Sequence, residues 1–252
     1  MKAIAFYIAK GGVGKTVSSL NFAYVLAHDY KKRVLYIDLD TQGNGSKTFR
    51  PFTDDQPTVT DLIENENTAI SKVILKTRYP NIDAIICDAG LYKANQDILL
   101  DKDTVQQTRL KIHIARVAGD YDFCILDCPT SMTMTTLNAL ALADEVLMPM
   151  VADGYTIDGL AEVLATIENM KAYNPKLKYG GCFLTKYQHG SNLNKEIFQS
   201  LKAQKNLRAF NTPIRYTVKV SESTLGTPIC EENKRATAAQ DYRALVKEWL
   251  KK

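Results

Sequence analysis

The segment Lys10–Thr16, KGGVGKT, constrains this chain more than any other stretch of its sequence. It follows an apolar, strand-like run, KAIAFYI, and leads into a segment whose apolar residues recur at helical spacing. A strand that turns on glycines into a helix N-terminus has a physical use. Gly11, Gly12 and Gly14 let successive backbone N–H groups face inward, and those groups, with the helix dipole, cradle phosphate oxygens. The cradle expected here runs through Gly11, Gly12, Val13, Gly14, Lys15, Thr16 and Val17. Lys15 is placed to reach the β- and γ-phosphates, and the Thr16 hydroxyl to ligate Mg²⁺. The commoner form of this motif begins with glycine where Ala9 stands, and here the loop carries an additional lysine, Lys10.

The rest of the chain supplies a framework for such a loop. Strands are expected at Lys2–Ile8, Arg33–Asp38, Ile82–Asp88, Phe123–Asp127, Glu145–Val151 and Lys178–Thr185, with Pro213–Thr217 closing the series. Helical patterns fall at Lys15–His28, Thr104–Val117, Thr133–Ala143, Ile157–Tyr173, Asn192–Gln204 and Ala238–Leu250. The strand runs are continuously apolar, as in a parallel sheet covered on both faces. Strand–helix alternation predicts an α/β fold, doubly wound, with a mostly parallel sheet and helices on both faces. No linker or repeat interrupts it, so residues 1–252 are expected to form one domain. The polar stretch Phe49–Asn67, with Pro51 and Pro57, reads as a surface excursion.

In a parallel sheet the carboxyl ends of the strands line the ligand crevice. Two strands expected beside the loop end in carboxylates. Asp38 and Asp40 follow RVLYI and lie two residues apart, so an extended chain points them the same way. One can hold a metal-bound water and the other orient the attacking water. Asp127 follows four apolar residues, the usual setting of the metal-side carboxylate in phosphate-loop enzymes. Asp88 also ends an apolar run and is read as a turn residue.

Composition excludes several classes. Of 252 residues 45% are hydrophobic and 24% charged, ordinary for a globular protein. The five cysteines, an odd number without a C-x-x-C pair, read as buried thiols. The three histidines are scattered and suggest no metal site built of protein ligands. The N-terminal apolar run is too short to span a membrane. Net charge is +4, but lysines and arginines crowd the last fifth of the chain, which suggests a polyanionic partner.

KGGVGKT, DLDTQGN at Asp38–Asn44 and LDCPTS at Leu126–Ser131, in this order, resemble the ParA-type partition ATPases, a deviant phosphate-loop group that includes the cell-division regulator MinD. The likeness extends to IRYTVKVSES at Ile214–Ser223 and to the final helix. It implies that Lys10 crosses a dimer interface to the partner's nucleotide, and that Lys10, Lys15 and Asp40 serve catalysis, with Asp40 positioning water. It implies Thr16, Asp38 and Asp127 around Mg²⁺, and ATP as ligand. It further implies an ATP-dependent homodimer that binds non-specific double-stranded DNA, a ParB-like centromere-binding partner, and a cytoplasmic, nucleoid-associated protein. Lys219 stands where relatives carry a basic residue used on DNA, with Arg215, Arg243 and Lys247 as further candidates. Because the chain starts on its first strand, no helix-turn-helix arm and no operator-specific repression are expected. Where relatives often have I-P-R-N, this sequence has Ile214-Arg215-Tyr216-Thr217, which leaves the adenine contacts open.

ATP is expected over GTP because the near-miss TKYQ at Thr185–Gln188 offers an amide where guanine recognition needs a carboxylate. The final helix carries Tyr242, Leu245, Val246, Trp249 and Leu250 on one stripe beside basic residues, which raises a MinD-like membrane anchor as the competing reading. The reading preferred is that this stripe packs on the core. An electron donor of the nitrogenase iron-protein kind would need cluster-bridging cysteines, and Cys124 and Cys128 are poorly suited.

Overall fold

Apolar runs that must bury both faces lie side by side in the computed structural model, which describes residues 1–49, 56–100, 105–154, 156–223 and 226–251. The first half comprises β1 (Lys2–Phe6), α1 (Lys15–His28), β2 (Val34–Asp38), α2 (Asn44–Phe49), α3 (Val59–Glu64), α4 (Ile70–Val73), β3 (Leu75–Lys76), β4 (Ile82–Ile85) and α5 (Gly90–Asp97). The second comprises α6 (Arg109–Ala115), β5 (Phe123–Asp127), α7 (Met134–Leu142), β6 (Glu145–Val151), α8 (Thr156–Met170), β7 (Lys178–Thr185), α9 (Asn192–Ala203), α10 (Val218–Ser223), α11 (Ile229–Glu232) and α12 (Thr237–Leu250).

The sheet has seven strands in the order β3-β4-β2-β5-β1-β6-β7. All neighbours are parallel except β3 and β4. The crossovers through α3, α6, α7 and α8 cover one face, α1 and the terminal α12 cover the other, and strand side chains alternate between the two. Leu35 and Ile37 of β2 join the layer containing α3, α5, α7 and α8, while Val34 and Tyr36 join the layer containing α1 and α12. This is the doubly wound α/β arrangement expected from the continuous apolar runs. Register places Phe6, Asp38 and Asp127 level across β1, β2 and β5.

Several expectations need correction. Pro213–Thr217 is no eighth strand. Ile214 N–H donates to the Leu184 carbonyl at 2.7 Å and Tyr187 N–H to the Ile214 carbonyl at 2.9 Å, but pairing stops at an isolated bridge between Tyr187 and Arg215. The segment 49–67 is not all surface. Thr58 and Asp61 form a capping box, and Val59, Leu62 and Ile63 are wholly buried. The Thr-x-x-Asp pattern ahead of Leu62 and Ile63 is the signal for that helix. The helix expected from Thr104 is a 3₁₀ turn at Gln106–Thr108 followed by the shorter α6. Pro51, Thr104 and Lys252 lie outside the described residues. β3 is too short to show in the pattern.

The stripe of α12 is core except for Leu250, which is exposed. Tyr242, Leu245, Val246 and Trp249 are 5% exposed or less, with Trp249 edge-on to Phe22 and Phe123. An apolar face already spent on α1 and the sheet is not free to enter a lipid surface. Among the described residues, no helix is long and apolar enough to cross a membrane.

Candidate nucleotide-binding site

At the carboxyl end of β1 the chain leaves the sheet on two left-handed glycines, Gly12 at φ 71° and Gly14 at φ 84°. Any side chain at either position would be strained, which is why the loop is written in glycine. Gly14 is also the N-cap of α1. The loop is tied from below: the Val13 carbonyl accepts the Thr185 hydroxyl at 2.8 Å, and that hydroxyl also lies 3.1 Å from the Met150 carbonyl. Thr185, at the end of β7, thus fastens the loop to β6 and β7.

Lys15 is buried, with Nζ donating to the carbonyls of Lys10 at 3.0 Å and Ile8 at 3.3 Å. Burial lowers its pKa, opposed by the charges of Asp127, Cys128 and Asp40. Lys10 is directed elsewhere. Its ammonium forms an ion pair with Asp153 just beyond β6, both side chains being about one-third exposed at 31% and 35%.

The three carboxylates converge but do different things. Asp38 is fully buried. One oxygen accepts both the N–H and the hydroxyl of Ser46, each at 2.7 Å, and the other accepts the Asp40 N–H at 3.1 Å. It therefore caps the start of α2 and orders the turn that carries Asp40. Asp40 is only half-buried and accepts the Gln42 N–H. Asp127 is fully buried; its Oδ2 accepts the Tyr36 hydroxyl at 3.1 Å, while its Oδ1 has no hydrogen-bond partner. Burial, then repulsion from Asp38, raises its pKa, with the neighbouring Thr16 and Tyr36 hydroxyls opposing. Asp38 is also raised by burial, against the Ser46 hydrogen bonds. A buried carboxylate beside the Thr16 hydroxyl suits a hard cation or a water held by one.

A groove of about 250 Å³ opens beside the loop. Gly12, Gly14 and Val17 form one side, and Ile214, Tyr216 and Val220 part of the other. Gln188 is not in its lining. Asp88, as expected of a turn residue, accepts the hydroxyls of Thr58 at 3.1 Å and Thr60 at 2.6 Å.

The basic candidates are spread over the C-terminal region. Lys219 is exposed on α10 and pairs with Glu222 at 2.7 Å. Lys247 is exposed on α12. Arg243 is held by Asp29 and the Cys230 carbonyl, both at 2.9 Å. Arg215 is committed to Asp241, with its guanidinium 2.7 Å away. The sequence reading passed over Ser46, Tyr36, Asp153 and Asp241, because each acts through a contact distant in sequence.

With this geometry the relatives are informative. The family model described as an AAA domain matches residues 1–179. The chain is 33% identical over 252 residues to the chromosome-partitioning ATPase Soj of Treponema pallidum, covering 98% of this chain and 96% of that protein. It is 30% identical over 253 residues to the chromosome partitioning protein ParA of Caulobacter vibrioides, covering 98% and 93%. The fold superposes with a TM-score of 0.84 on cobyrinic acid a,c-diamide synthase from Mycobacterium smegmatis, solved with ADP and magnesium, at 24% identity and covering 100% of this chain and 94% of that one. A glycine loop and three converging strand-end carboxylates, in a chain alike from end to end, lead to one assignment: the chain belongs to the ParA/Soj family of partitioning ATPases.

Proposed function

We propose that this protein is a Mg²⁺-dependent ATPase whose ATP-bound dimer grips DNA without regard to sequence and partitions a replicon with a ParB-like, centromere-binding partner. The observation that carries the reading is the unpartnered Oδ1 of Asp127, buried level with the end of β1 where the phosphate loop begins. Among the described residues no three His, Cys, Asp or Glu side chains cluster as a metal cage. Mg²⁺ needs none, since it keeps waters and takes one or two protein oxygens plus phosphate.

Thr16 and Asp127 would hold the ion directly or through water, with Asp38 behind them, and the ion would neutralise developing charge on the phosphates. Backbone N–H groups of residues 11–17 bind the phosphates, and Lys15 moves from the loop carbonyls to the β/γ oxygens. Asp40, the most accessible of the three carboxylates, orients the attacking water. The base occupies the groove against Ile214–Thr217, whose lining, among the described residues, contains no carboxylate that could select guanine. Lys10 reaches the partner's nucleotide, so a single chain holds an incomplete site and turns over slowly.

Fluorescence anisotropy on a random duplex tests the reading. Mg-ATP, and not ADP, should produce binding that weakens steeply with salt. Lys219→Ala, removed from both subunits, should lower the log–log salt slope by about two, at roughly 0.9 per phosphate contact. No affinity for duplex, together with ATP-dependent pelleting on anionic vesicles, would replace the partition reading with a membrane one.

A further inference from the structure

The final helix is wired to the groove by successive residues. Asp241, 8% exposed, accepts the backbone N–H of Arg215 at 2.9 Å, its Nε at 2.9 Å and its Nη2 at 2.7 Å. The next residue, Tyr242, lines the groove and places its hydroxyl 3.1 Å from Ser18 Oγ on the opposite side, one turn beyond the phosphate loop. One turn of α12 therefore spans the groove, holding the 214–217 segment with one side chain and the loop's own helix with the other.

Elsewhere the segment is anchored at Ile214, whose side chain is buried in the core. It pairs with β7 and the residues after it through Ile214 and Tyr216 only, and Tyr216 is 53% exposed. Hydrogen bonds to a charged group are stronger than those between neutral ones. The clamp also occupies the Arg215 guanidinium, which gives this residue a role inside the chain.

We propose that Asp241 is a positioning residue for the nucleotide base: by clamping both main chain and side chain of Arg215 it sets the 214–217 wall against which the base packs. The inference rests on the placement of the base in this groove. It predicts that the carboxylate affects recognition of the nucleoside and leaves the phosphate cradle untouched.

Calorimetry with Mg-ATP and with Mg-tripolyphosphate, which has the phosphates and no base, separates the two. Wild type should bind ATP more tightly. Asp241→Ala should weaken ATP about tenfold and change tripolyphosphate affinity less than twofold. Arg215→Ala, which leaves the carboxylate bonded to the main chain, should give a smaller loss with the same selectivity, and it serves if Asp241→Ala fails to fold. An unchanged ATP affinity in folded Asp241→Ala, or equal losses for both ligands, overturns the positioning role while leaving the groove assignment intact. A wild type that binds both ligands equally overturns the groove assignment and the inference with it.

Discussion

The phosphate end of the crevice and its groove end are built differently. At the phosphate end, Gly12 and Gly14 take left-handed backbone and the carboxylates sit at the ends of adjacent strands, so short contiguous segments dictate the geometry. At the groove end, the wall is assembled from the end of β7, the 214–217 segment and α12, joined by side-chain contacts such as Thr185 to Val13 and Asp241 to Arg215. The first arrangement tolerates almost no change, because each part carries charge or an obligatory conformation. The second should degrade in steps, because several contacts share the work.

That difference orders the expected effects. The largest is Lys15→Ala. Lys15 is the buried cation within the loop, and its loss should abolish measurable ATP binding in calorimetry while leaving circular dichroism unchanged. Retained affinity would place the phosphates elsewhere and remove the contrast between the two ends. Next is Asp40→Ala, which should bind ATP within a few-fold of wild type and lose turnover by about 10²–10³, the range for removing one transition-state contact. Hydrolysis at the wild-type rate would mean that another group orients the water.

Asp127→Asn should separate stability from function. The folded state raises this carboxyl's pKa, so between the unfolded and folded values the folded protein binds more protons than the unfolded one. Stability of the nucleotide-free protein then falls as pH rises through that window. Asparagine removes the ionisation. The variant should match wild type near pH 4 and become progressively more stable than it towards pH 8, by about 1.4 kcal/mol per unit of pKa shift. It should also lose Mg²⁺-dependent hydrolysis. Thermal melts that show no pH-dependent gain would mean that the buried oxygen already has a partner.

The smallest effect concerns Asp153. It pairs with Lys10, and the proposed reach of Lys10 to a partner's nucleotide requires that pair to open. A partly exposed pair contributes about 0.2–1 kcal/mol. Asp153→Asn should therefore strengthen ATP-dependent dimerisation by no more than about fivefold in sedimentation equilibrium. Weaker dimerisation would show that Asp153 prepares Lys10 rather than restrains it.

The same contrast explains what could be read from residues. KGGVGKT, DLD and FCILD each contain their own conformational instructions, and each lies in the structure where strand ends meet. The capping box at Thr58–Asp61 was equally local, but the prolines around it drew attention to a loop. Asp241 and Asp153 carried no local sign: a carboxylate on a helix face and one after a strand are ordinary until the fold brings Arg215 and Lys10 to them. Pro213–Thr217 has strand-like composition, yet its pairing ends at one bridge, and the outward-facing Arg215 N–H goes to Asp241. The basic C-terminal region was legible as charge, whereas the pairing of Arg215 and Arg243 with Asp241 and Asp29 was not.

The claim that joins the two ends is that ATP completes the site across two chains. Light scattering with Mg-ATP on Asp40→Ala, which holds ATP without consuming it, tests this directly. The expected result is a dimer with ATP and a monomer with ADP, and a monomer in both states once Lys10→Ala is added. A dimer equally tight without Lys10, or an Asp40→Ala protein that stays monomeric at saturating ATP, would contradict it.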